Sequence, residues 1–98
     1  MVTRRWHGTS TRGSAARIVT AIGAIFAIIE VVYILLVVLG ANAGNAFVRF
    51  VASLAEPLAL FFPGLFPIAN PTLAVIVNYG LAAVFWLVVA GFIARLLR

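Results

Sequence analysis

The chain contains no cysteine, no lysine and no aspartate, and it has a single histidine, His7, and only two acids, Glu30 and Glu56. Without cysteine there is no disulfide framework, no thiolate metal site and no cysteine nucleophile. Without aspartate no Ser-His-Asp set can form. His7 stands in a polar segment with no second ligand near it, so it reads as a solvated side chain, and one histidine cannot make a haem-ligand pair within one chain. No glycine-rich phosphate loop occurs. The residues therefore point to no catalytic centre, no metal and no cofactor. Charge is scarce too, at 9% of residues against about 25% in soluble domains. That is too little polar surface to coat a globule in water.

What the 98 residues do have is apolar length, with 65% of them hydrophobic. Residues 18–40 form an almost unbroken apolar run, and about 20 residues at 1.5 Å rise cross a hydrocarbon core. A second such run covers residues 72–94. The expected fold is an all-α membrane protein, a hairpin of two transmembrane helices with an amphipathic interfacial helix in the connection.

The segments divide as follows. Residues 1–17 form a basic tail without the apolar content to pack, in which Trp6 is placed to sit at headgroup level. Arg4-Arg5 lacks the apolar stretch that should follow a twin-arginine signal. Ala41-Asn42-Ala43 resembles a signal-peptidase site, but the preceding run is longer than the 7–15 residues of a signal core, which favours an uncleaved anchor. Gly40, Asn42 and Gly44 supply helix-stop chemistry after the first span. In the connection, residues 41–71, Asn45 can cap a helix over about 45–55. Phe47, Phe50, Val51 and Leu54 recur at i, i+3, i+4 and i+7, with Arg49, Ser53 and Glu56 on the other side, which predicts a helix lying flat in the interface. Pro57, Pro63, Pro67 and Pro71 then forbid a continuous helix. Irregular backbone cannot face lipid, so residues 58–69 should stay near the interface or pack on protein, with Phe61, Phe62, Leu65 and Phe66 at the headgroup boundary or against another subunit. Pro71 suits the first position of the second span, and residues 95–98 close the chain with basic character.

Seven arginines and two glutamates leave a net charge of +5. The arginines make no compact patch among aromatic residues, which argues against nucleic acid. Arg4, Arg5, Arg12, Arg17, Arg95 and Arg98 flank the apolar runs, where anionic headgroups would meet them. Only Arg49 lies in the connection, so the positive-inside rule puts both termini in the cytoplasm and the connection outside a cell membrane.

Glu30 is the one ionisable residue inside the spans. A carboxylate at mid-membrane costs about 2.5–3.5 kcal/mol on insertion scales. It shares a helix face with Gly23, Ala27 and either Tyr33 or Ile34, and that face, small and then acidic, suits close approach of another helix. In an antiparallel hairpin it lies level with Ala82, with Asn78 one turn nearer the outer end. Three roles are open: a protonated carboxyl hydrogen-bonded to Asn78, Tyr33 or a backbone carbonyl; a contact with a partner subunit's Arg, Lys or Ser; or a station on an ion or proton path, which would need an oligomer because two helices cannot enclose a pore. On the second span, Gly80, Ala83, Leu87 and Gly91 make a candidate docking stripe.

Leu39-Gly40-Ala41-Asn42-Ala43-Gly44-Asn45-Ala46-Phe47-Val48, then Leu54-Ala55-Glu56-Pro57-Leu58 and Phe62-Pro63-Gly64-Leu65-Phe66 before a closing apolar helix, resembles actinobacterial-type members of the YggT family over roughly residues 25–97. These are small integral membrane proteins built from one or two helix–amphipathic connection–helix units. Many carry an Asp-Leu-Ser-Pro-like entry to the second helix, where this chain has Ala69-Asn70-Pro71-Thr72. The resemblance implies a single-unit hairpin and links to envelope or division functions, and no catalytic residue.

Two functions of different class follow. One is an accessory or scaffolding subunit docking on a larger membrane complex; the other is a homo-oligomer conducting ions or protons through Glu30. A weaker third is a lipid-organising protein working through its arginines and interfacial helix. Expected partners are lipids and other membrane subunits or further copies of the chain.

Overall fold

The computed structural model describes the backbone of residues 2–60 and 62–98 and the side chains of residues 12–60 and 62–98. Three α-helices follow in order, α1 (Val2–Val38), α2 (Ala46–Leu58) and α3 (Pro71–Leu97), and no strand occurs among the described residues. Two stretches of 27 residues, Arg12–Val38 and Pro71–Leu97, are long and apolar enough to cross a membrane.

The ends of these helices are set locally. At the end of α1, Ala41 N–H donates to Leu36 O at 2.9 Å and Gly40 N–H to Val37 O at 3.0 Å, with Gly40 at φ +75°. That is the Schellman closure, and the left-handed residue it needs is glycine. Asn45 caps α2 by accepting from Phe47 N–H at 2.8 Å and Val48 N–H at 3.4 Å. Asn70 caps α3 by accepting from Leu73 N–H at 3.0 Å, with Pro71 at the first position, where no donor is lost.

Three boundaries differ from the sequence expectation. α1 starts at Val2 and not at residue 18: once a helix is nucleated, each added residue gains a hydrogen bond, and Arg12, Ala15, Ala16 and Arg17 are all good helix formers. The side chains of Arg4, Arg5, Trp6 and His7 lie outside the described residues. α2 continues through Pro57 to Leu58, since a proline in the last turn removes one donor while its ring holds φ in the helical range. α3 extends beyond residue 94 to Leu97.

α1 and α3 pack side by side and antiparallel. Arg12 meets Leu97 near one end, Phe26 stacks edge-on against Trp86 with ring centroids 4.8 Å apart, and Tyr33 meets Tyr79 at 4.7 Å near the other end. The closest approach is at Gly23. A Cβ there would collide with the Ala90 Cβ and stand 2.9 Å from the Trp86 carbonyl oxygen.

α2 does not lie across the end of this pair. It runs down one side of it, against α1, and Ala55 and Ala59 form a buried cluster with Tyr79 and Ala82 of α3. The Trp86 indole donates to the Leu58 carbonyl at 2.8 Å, and the Phe62 ring lies 5.6 Å from that of Phe85. Trp86 is about 22 Å along α3 from Pro71 at 1.5 Å per residue, so the C-terminal end of α2 sits well inside the length of the pair even after the side chain's lean toward the N-terminus.

The stripe expected to face acyl chains stays largely on the outer surface of α2. Phe47 and Phe50 are 58% and 60% exposed and Leu54 is half-buried, so of the four only Val51 is buried. The inward side is Val48, Val51, Ala52, Ala55 and Ala59, one position round from the predicted face. Small alanines let α2 approach closely; the large phenylalanines cannot and turn outward.

Candidate functional site

Buried polar chemistry gathers where the three helices meet. Glu30 is on the side of α1 that faces α3, in register with Ala16, Gly23, Ala27 and Ile34, and it is the largest fully buried side chain, at 0% exposure. Asn78 of α3 is also buried, at 7%. Tyr79 is buried beside Tyr33, the two ring centroids 4.7 Å apart. Tyr33 and Glu56 share a groove of about 420 Å³ between α1 and α2 with Arg49, Val37, Val48 and Ala52.

The expected hydrogen bond from Glu30 to Asn78, Tyr33 or a backbone carbonyl is absent. Neither Glu30 oxygen has a hydrogen-bond partner, and nor does Asn78 Oδ1. Helix geometry explains the miss. Helical side chains lean toward their own N-terminus, and in an antiparallel pair that makes Glu30 lean toward the Arg12 end while Asn78 leans toward the Pro71 end. A register that looks one turn short is therefore wider than counting residues indicates. An ionised carboxylate at this place, with no cation or donor beside it, would cost several kcal/mol.

Of the candidate docking stripe, Ala83 is buried within the chain, while Leu87 is 52% exposed and a Cβ added at Gly80 or Gly91 would meet nothing within 4 Å. Arg12, Arg17, Arg95 and Arg98 gather at one end of the α1–α3 pair. Arg12 Nε donates to the Leu97 carbonyl at 3.3 Å, Arg17 donates to Ser14 Oγ at 3.5 Å, and Arg17 and Arg98 edge a groove of about 690 Å³ floored by Gly13, Ala16, Thr20 and Ala24. Sequence reasoning did not single out Trp86, the residue that fastens α2 to α3. Its one visible signal is a buried-depth tryptophan, whose N–H needs an acceptor. Among the described residues no group of three or more His, Cys, Asp or Glu could hold a metal ion.

Comparisons with known protein families, with curated proteins and with solved structures find no match to this chain. The resemblance to the YggT family therefore rests on the residues quoted for it alone.

Proposed function

We propose that the chain is a non-enzymatic integral membrane protein of YggT-like type, an accessory subunit that docks against a transmembrane helix of a larger membrane assembly. In this reading α1 and α3 cross the cell membrane as a hairpin with both termini cytoplasmic, and α2 re-enters from the outer side. The arginine asymmetry supports the orientation.

One observation carries the docking role: the glycines of the spans divide by use. Gly23 is occupied within the chain, where only a hydrogen fits against Ala90 and Trp86. Gly80 and Gly91 have open space where a side chain would go, yet each mid-helix glycine costs about 0.5–1 kcal/mol relative to alanine. Their use lies outside the chain. Two residues turn a helix by about 200°, so Leu87 and Gly91 face away from Val89, and Thr20 and Ala24 away from Ile22. The small-residue side is thus opposite the side that α2 packs on, and small residues let a neighbouring backbone approach.

A photoreactive benzoylphenylalanine placed at position 87 and irradiated in native membranes inserts into a neighbouring C–H bond and needs no matching group on the partner. It should give a cross-linked product with another membrane subunit, and Gly80→Leu with Gly91→Leu should abolish it. A chain labelled at position 87 that stays uncross-linked and purifies alone in mild detergent contradicts the reading.

A further inference from the structure

The side of the α1–α3 pair that α2 occupies is covered over only part of its length. Between Trp86 and the arginine-bearing end, the same side holds an open groove of about 180 Å³ lined by Val19, Ile22, Phe26, Val89 and Ile93, with Gly23 and Ala90 at its floor. We propose that this groove binds one acyl chain of an anionic phospholipid from the leaflet on the side of the termini, with Arg12 on the lipid phosphate. The inference rests on α1 and α3 crossing the bilayer, as in the function proposed above.

Length selects the occupant. The groove is closed at its inner end by Trp86, whose indole is held on the Leu58 carbonyl and whose ring meets that of Phe26 at a T-shaped angle. From Trp86 to Leu97 is about 16 Å at 1.5 Å per residue, close to half of a hydrocarbon core of about 30 Å. A partner's transmembrane helix needs the full thickness and would run into α2. A lipid tail needs one leaflet.

Charge selects the headgroup. Arg12, Val19 and Phe26 recur every seven residues and so form one row along α1, which carries the groove down to Arg12 at its open end. The Arg12 guanidinium reaches across to the Leu97 carbonyl there, at the gap between the two helices. The only acidic side chains in the chain are Glu30 and Glu56, both beyond the closed end, so no carboxylate side chain competes with a phosphate for Arg12 at the mouth. An arginine–phosphate contact is charge-assisted, and the surplus of arginines at this end adds to the attraction for anionic lipid.

Trp86 reports on the groove directly. The full chain carrying Trp6→Phe, so that Trp86 is the one indole, is reconstituted in mixed phosphatidylcholine–phosphatidylglycerol vesicles in which one lipid or the other has brominated chains. Brominated phosphatidylglycerol should quench Trp86 more strongly than brominated phosphatidylcholine, and Arg12→Gln should erase the difference. Equal quenching by both lipids overturns the site and leaves the membrane reading intact. A preference that survives Arg12→Gln overturns the assignment of the phosphate. Quenching by neither overturns the membrane reading and the site together.

Discussion

The two sides of the α1–α3 pair solve the same problem differently. On one side the chain covers itself: Ala55 and Ala59 of α2 bury against Tyr79 and Ala82, and Trp86 ties the end of the helix down through the Leu58 carbonyl. On the other side Leu87 and Gly91 are exposed, and half-buried Gly80 has open space where a side chain would go. Small residues serve on both, as alanines under α2 and at the Gly23–Ala90 contact and as glycines on the open side. In a membrane, where apolar surface gains nothing by leaving lipid, close packing is what holds helices together. Small residues with a neighbour against them are therefore part of this chain's fold, and those without one form the face proposed above for docking.

The largest test of that contrast is Gly23→Leu. With Ala90 and the Trp86 carbonyl already in the way, the added side chain must push the helices apart, at about 1–3 kcal/mol or more. Unfolding in mixed micelles, followed by helical circular dichroism, should show the loss. Glu30→Leu should act in the opposite direction. It removes two unpartnered buried oxygens whose desolvation costs about 1–3 kcal/mol, so the variant should unfold at the same denaturant level as the parent or a higher one. Marked destabilisation would mean that Glu30 has a partner after all. Trp86→Phe keeps the ring contacts and removes the donor to Leu58, worth about 1 kcal/mol. Maleimide labelling of Ala55→Cys, slow while Ala55 is fully buried, should then speed up by roughly fivefold. The smallest effect belongs to Gly80→Leu and Gly91→Leu, which should leave the unfolding of the isolated chain unchanged or slightly later. If they unfold it, the open side is not open.

The parts of this fold that are written in the sequence are those decided within a few residues. Gly40 after an apolar run, Asn45 before one and Asn70-Pro71 before the next each carry their own capping chemistry, and the two spans follow from apolar length. The direction of α2 is decided at longer range. Two stripes lie side by side on that helix, Phe47–Phe50–Val51–Leu54 and Val48–Val51–Ala52–Ala55–Ala59, and hydrophobic spacing shows only the first. The second is the one that packs inward, because what α2 must satisfy there is closeness to α1 and α3. The Glu30–Asn78 pairing failed for a related reason: register along two antiparallel helices is visible in the numbering, whereas the opposite lean of their side chains is not. For the site as a whole, Glu30 was legible as an exception among apolar residues, and Trp86 was not.

The central claim is that α2 descends along the helix pair and does not float across its end. Single cysteines placed at Phe47 near its start and Leu60 just past its end, both exposed, can carry nitroxide labels in reconstituted bilayers. Oxygen and nickel-chelate accessibility then give the depth of each. The account predicts a label at position 47 near the headgroups and one at position 60 well inside the hydrocarbon, with position 50 between them. Labels at 47, 50 and 60 lying at one common headgroup depth would contradict it.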